Sequence, residues 1–299
     1  MIQADLNILQ PEYIIRQHEV AATVSPVCSS FRENKWKRNA WFVPIEEAVE
    51  AKLQAIVLKI RSKKKAKKAA TDSADTNPTR PNGQSNTDST DIVDDEVNGN
   101  NDDIAALLEG KQLHLVAGAD HGGGSFKAQL GMNLVEEGKV IHSEKLLVAV
   151  AECRKDTRQV LLNSGVMKAI DDGLNATPSS LQAYHGGGML GAITIFGSFD
   201  LAANALLLGK CNMAGKYCWR GKWRHGEDPC KACQPWTLQS MEEFREKVDS
   251  KEQETGKKIK GKERMGLVKP PLLTCIPVHN WLTPILHCIT LFANTPFNY

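Results

Sequence analysis

The spacing of apolar residues changes several times along the chain, and each change predicts an element. Over 44–68, "PIEEAVEAKLQAIVLKIRSKKKAKK", the apolar positions Ile45, Ala48, Val49, Leu53, Ile56 and Ile60 recur at helical spacing. Pro44 suits a first helical turn, and Glu46 and Glu47 favour the positive end of the helix dipole. "KQLHLVAGAD" (111–120) reads as a strand that ends in Asp120. Phe126, Ala128, Leu130, Met132 and Leu134 alternate, which predicts a second strand over 125–139 with a turn at Gly138. The apolar run at 144–153 has the look of a central strand. Helical spacing returns at Val160, Leu161, Val166 and Ile170, giving a helix over 157–173 that Gly173 stops. "MLGAITIFGSFD" (189–200) is a fourth strand ending at Asp200, and 201–210 follow as a short helix or turn.

This order defines an expected fold class: α/β, with three antiparallel strands, a crossover helix and a parallel strand, as in a ribonuclease-H-like mixed sheet. Beyond it, 240–266 begins as a helix with Met241, Phe244 and Val248 on one face and ends as a Lys/Gly-rich loop. Residues 270–294 are apolar but broken by Pro277 and Pro284, giving an extended piece and a helix starting near Pro284. The expected organisation is a basic N-terminal arm with one helix (1–68), a disordered acidic linker (69–109), the core (110–210), a cysteine-rich insertion (211–269) and an incomplete C-terminal segment (270–299). The apolar face of that last segment would need a missing partner or further chain to cover it.

Charge supports the division. Residues 1–70 carry 13 Lys and Arg against 7 Asp and Glu, residues 71–109 carry 1 against 10, and residues 110–299 carry 23 against 18. The acidic stretch has too few apolar residues to offset the entropy of ordering it. The lysines near 63–68 suit either a solvated helix terminus or a nuclear-localisation or phosphate-binding tract. Nothing reads as a signal peptide or a membrane span, so the expectation is an intracellular protein, nuclear if the lysine tract is an address, with no membrane partner. Eight cysteines then point to thiols or metal ligands more than to disulfides.

Two chemistries follow. Asp120 and Asp200 close strands expected to lie side by side, and paired carboxylates can hold Mg²⁺ or Mn²⁺ through oxygen. Gly122, Gly123 and Gly124 would let a nucleic-acid backbone approach. An aspartate at a strand end is also an ordinary turn residue. The second is a cysteine cluster: Cys211, Cys218, His225, Cys230 and Cys233 lie within 211–233. The Cys230-Lys-Ala-Cys233 knuckle can present two thiolates to Zn²⁺, with Cys218 and His225 completing the set or with Cys218 joined instead to His279 and His287. No strand-to-helix pattern leads into the pair, which disfavours a redox role. Tyr217, Lys222, Arg224 and the tryptophans Trp219, Trp223 and Trp236 suit either nucleic-acid contacts or the packing of a small module. "HGGG" at 185–188 is a glycine turn, because no Gly-x-Ser-x-Gly elbow accompanies it. His18, His114 and His142 have no evident partners and read as structural or surface residues.

"GADHGGGSFKAQL", "IFGSFDLAANALLLGKCNMAGKYCW" and "PLLTCIPVHNWLTPILH" together resemble transposon-derived proteins with an Asp-Asp-Glu transposase core, distantly similar to the catalytic subunit of the V(D)J recombinase. The resemblance covers about 113–290. It implies Asp120 and Asp200 as metal-binding acids, Cys218 and His287 as zinc ligands, and DNA as partner. Departures accompany it. His121 follows the first acid, Gly221 stands where a second cysteine belongs, and 265–299 hold no acid to serve as the third. The expectation is a DNA-binding fragment or relic with lost or weak Mg²⁺-dependent strand transfer. A non-enzymatic zinc-stabilised DNA- or protein-binding module, a homodimer, and a remnant without a stable fold are the other expectations.

Overall fold

The computed structural model describes residues 24–74, 108–122, 124–184, 190–210, 235–260 and 263–282. Three long strands build its centre: β3 (Lys111–Gly122), β4 (Ser125–Glu136) and β5 (Lys139–Glu152). The alternation read from the sequence is the burial pattern observed. Leu113, Leu115 and Ala117 of β3 and Ala128, Leu130, Met132 and Leu134 of β4 are buried, and Leu146 to Ala151 of β5 are buried without a break. Glu137 and Gly138, both at positive φ, make the turn into β5. That turn starts β5 at Lys139, five residues earlier than its apolar run suggested.

β6 (Leu190–Gly197) lies parallel to β3 at the far side of this meander. On the other side is a hairpin that the sequence reading had left inside a basic arm. Its strands are β1 (Val27–Glu33) and β2 (Trp36–Phe42), and β2 pairs antiparallel with β5. Among the described residues the sheet is therefore mixed and six-stranded, ordered β1-β2-β5-β4-β3-β6. The class is α/β, as expected.

Helices cover the face that carries Leu113, Leu115 and Leu130. α1 (Ile45–Ala74) lays Ile45, Ala48, Val49, Leu53 and Ile56 into the core. It packs on the crossover, so 24–53 share one core with the sheet and do not form a separate arm. α1 continues past the lysines to Ala74, and its last turn carries no base. The lysines are thus inside the helix, not at its negative end. The linker expected over 69–109 loses 69–74 to this helix and Leu108 to a second small cluster with Val57 and Leu134. The rest of it, 75–107, lies outside the described residues.

The single crossover helix expected over 157–173 is two: α2 (Arg158–Asn163) and α3 (Val166–Tyr184). Gly165 at φ +73° separates them. Gly173 does not end α3. It sits where α3 meets α1, and a Cβ there would lie 2.9 Å from the Ile45 Cβ. Glycine at 173 is a close-packing residue, a role that periodicity cannot distinguish from a helix stop.

After β6 come α4 (Leu201–Leu207) and α5 (Leu238–Thr255). A capping box of Thr237 and Ser240 starts α5, and Gly256 in the left-handed region ends it. The segment 267–282 returns over the helical layer. Leu272, Leu273, Ile276, Val278 and Trp281 are buried, so this part of the expected exposed apolar tail is covered by its own chain. Asp171 of α3 anchors it, accepting from the Thr274 N–H and hydroxyl at 2.6 Å each and from the Cys275 N–H at 2.8 Å. A 3-10 turn (Val278–Asn280) brings Trp281 against the edge of β6, where the Leu282 N–H donates to the Gly197 carbonyl at 2.7 Å. The helix expected near Pro284 lies outside the described residues. No described helix is long and apolar enough to cross a membrane.

Candidate functional site

The pairing of β3 with β6 sets where the two acids fall. Ala117 is in register with Gly197, and the Ser198 N–H donates to the Ala117 carbonyl at 2.7 Å. Gly118 permits this closeness, since a Cβ there would stand 3.0 Å from the Ser198 carbonyl oxygen. Asp120 and Asp200 each lie three residues beyond that registered pair, at the C-terminal ends of neighbouring parallel strands.

Their surroundings differ. Asp120 is still within β3, exposed, and paired in register with Lys127 of β4. Period-two alternation puts it on the face opposite the buried Leu113, Leu115 and Ala117. Asp200 has left the strand, which ends at Gly197 and not at 200 as expected. It is the N-cap of α4, and its Oδ1 accepts from the Ala203 N–H at 2.6 Å. One carboxylate oxygen therefore has a structural duty that fully accounts for an aspartate at this position. The glycines after Asp120 border open space, because a Cβ at Gly122 or Gly124 meets nothing within 4 Å. Gly123 lies outside the described residues.

The cysteine-rich cluster is outside them as well. Cys211, Cys218, His225, Cys230 and Cys233 fall in 211–234 and His287 in 283–299, together with Tyr217, Trp219, Lys222, Trp223 and Arg224. His279 is described, exposed in the 3-10 turn. Among the described residues no three His, Cys, Asp or Glu side chains converge on a point that could hold a metal ion. Trp236 belongs to the core: it is buried against Phe244, with Lys210 over its ring. That removes it from the aromatic set open to nucleic acid. The described thiols are Cys28, Cys153 and Cys275. Burial pushes Cys153 up to about 11, with Glu33 and Asp156 adding to the effect. Burial and the hydrogen-bonded Asp171 carboxylate push Cys275 up as well. Both are packing residues and poor nucleophiles at neutral pH.

The same end of the sheet carries basic and aromatic residues that the sequence reading did not single out. Gly122 pairs with Ser125, Ser125 with Glu152, and the Glu152 carboxylate accepts from the Asn39 N–H at 3.1 Å. The β1–β2 turn thus projects beyond the strand ends where Asp120 and Asp200 lie. At its tip Trp36 is 53% exposed, with the Lys35 ammonium 5.6 Å from its ring centroid. Beside it runs a groove of about 330 Å³ lined by Asn34, Arg154, Lys155 and Asn163, with Glu33 among its walls. Glu33 is paired there with Arg38 at 3.2 Å and accepts from the Arg154 backbone N–H at 3.0 Å. The signal was legible in "FRENKWKRNAWF", whose central Asn-Lys turn joins two short alternating runs.

No model of a known protein family matches this chain, and no curated protein is similar to it. What the fold defines is a mixed α/β protein with two acids at adjacent parallel strand ends.

Proposed function

We propose that the chain is a nucleic-acid-binding protein on a ribonuclease-H-like core of the transposase type, with weak metal-dependent phosphodiester cleavage or strand transfer centred on Asp120 and Asp200. The observation that carries this reading is the register: both acids stand three residues past the Ala117–Gly197 pair of two neighbouring parallel strands. The sheet order β5-β4-β3-β6, with the α2–α3 crossover, supports the core type. The β1–β2 hairpin is an addition to it.

The donor set suits Mg²⁺ in one respect. Mg²⁺ is commonly held by only one or two carboxylates and keeps several waters. Asp120 offers both oxygens, and Asp200 offers Oδ2 while Oδ1 caps α4. When bound, the cation would polarise a phosphoryl oxygen. The chain's own residues supply the rest. The open space at Gly122 and Gly124 admits a backbone, and Lys127 balances the acid beside it. No third acid is evident, so the affinity and rate are low. Zn²⁺ at Cys218, His225, Cys230 and Cys233, or with His279 and His287, would brace the insertion. DNA is the partner, and a nuclear location fits the lysine tract within α1.

The helix-capping role of Asp200 favours a second reading, a binding module that does not cleave. Nicking of supercoiled plasmid in Mg²⁺ or Mn²⁺ separates the two. Asn is as good an N-cap as Asp, so Asp200→Asn removes the charge and keeps the helix. The proposal expects slow nicking that Asp120→Asn and Asp200→Asn each abolish. Equal background from all three proteins rejects it in favour of the binding module.

A further inference from the structure

We propose that the β1–β2 hairpin tip and the loop after β5 form a binding platform for single-stranded nucleic acid. An unpaired base stacks on Trp36, and Arg32, Lys35, Lys37, Arg154 and Lys155 track the phosphates. The inference rests on the nucleic-acid reading above but on different residues.

Trp36 is the first support. A tryptophan 53% exposed at a hairpin tip leaves apolar ring surface in water without a packing reason. Lys35, over the same ring, puts a cation beside the place where a stacked base would carry its phosphate.

Charge is the second. Residues 32–38 hold Arg32, Lys35, Lys37 and Arg38 against Glu33, and 154–156 hold Arg154 and Lys155 against Asp156. Arg38 is committed to Glu33. Arg32, Lys35, Lys37, Arg154 and Lys155 are exposed, and none forms an ion pair among the described residues. Arg32 and Lys37 are cross-strand partners, so like charges face each other directly across the hairpin. That arrangement is unfavourable on its own and is relieved by a polyanion.

Position is the third. β2 lies three strand spacings from β3, and Trp36 projects beyond the level of Asp120. With about 4.8 Å between strands and 3.3 Å per residue, the separation is on the order of 20 Å. A single strand suits the platform better than a duplex, since duplex bases already stack on each other and every unpaired base offers a face.

The test is fluorescence anisotropy of a labelled oligothymidylate and a labelled duplex with the full chain, in EDTA across a salt series. Trp36→Ala is expected to weaken strand binding about tenfold, and Trp36→Phe to recover most of it. Lys35→Gln/Lys37→Gln is expected to lower the slope of log K against log salt by about 1.4. Absence of strand binding by wild type overturns the proposal. So does equal binding by Trp36→Ala, or a loss in the lysine variant that is the same for duplex and strand. If the tryptophan variant is neutral while the aspartate variants lose nicking, the platform fails and the carboxylate site stands. The reverse result leaves the platform without the enzyme.

Discussion

Glu144 of β5 holds Lys52 of α1 at 3.3 Å between the helix and the sheet, with Lys59 at 3.4 Å and His142 at 3.1 Å on its other oxygen. Lys52 is almost fully buried. Burial acts to raise the Glu144 pKa, but the His142 hydrogen bond and the two lysines outweigh it and hold the carboxyl below its ordinary value. A carboxyl depressed on folding stabilises the protein above its unfolded pKa, and that stability is lost as pH falls through the folded one. Urea midpoints are therefore expected to be flat from neutrality to about pH 4.5 on this group's account and to fall below it. Glu144→Gln is expected to cost about 1–3 kcal/mol at pH 7 and to flatten the acid limb. An unchanged acid limb in the variant would show that the group is not coupled to folding.

The Gly173–Ile45 contact makes a second prediction. Ala has the better helix propensity by about 1 kcal/mol, but a Cβ 2.9 Å from a backbone-proximal carbon forces α1 and α3 apart. Overpacking typically costs ~1–3 kcal/mol, so Gly173→Ala is expected to be destabilising, and Gly173→Val more so. Chemical denaturation of the two variants measures it. A stabilised Gly173→Ala would mean the helices can separate freely there.

Asp171 makes a third. Asp171→Ala leaves two backbone N–H groups and a hydroxyl of the 274–275 stretch without their acceptor. The expected cost is about 1–3 kcal/mol, with faster amide exchange concentrated in 267–282 and little change in β3–β5. Uniform exchange across the molecule would contradict the anchoring role.

Trp281 is fully buried, packs against Phe199 in a tilted arrangement with centroids 5.4 Å apart, and donates through Nε1 to the Ile276 carbonyl. Trp281→Ala is expected to cost ~3–5 kcal/mol, measured by thermal or urea unfolding. Trp281→Phe should recover part of it, lacking only the indole donor and some volume. A near-neutral Trp281→Ala would show the segment to be dispensable.

The residues explain what could be read in advance. Phe126, Ala128, Leu130, Met132 and Leu134 carry a period of two that a one-sided strand satisfies, so β4 was evident, and the apolar runs on either side of it marked β3 and β5. The hairpin carried a turn signal at Asn34-Lys35 and little else: β1 and β2 are short, rich in charge, and acquire their burial from β5, over a hundred residues away. Gly173 was misread because close helix packing and a helix stop use the same residue for different reasons. Asp200 was found by its place in the order of elements, yet the sequence could not reveal that Ala203 claims one of its oxygens. Trp236 suited either nucleic-acid contact or packing, and the structure selects packing, because α5 folds Phe244 against it.

The central claim is that Asp120 and Asp200 share one divalent cation. Mn²⁺ titration followed by electron paramagnetic resonance tests it most directly on wild type, Asp120→Asn, Asp200→Asn and the double variant. The account expects one site lost in either single variant, with the double variant no worse, since two ligands of one ion are not additive. Identical Mn²⁺ binding by wild type and both single variants, or no binding by wild type, would contradict it.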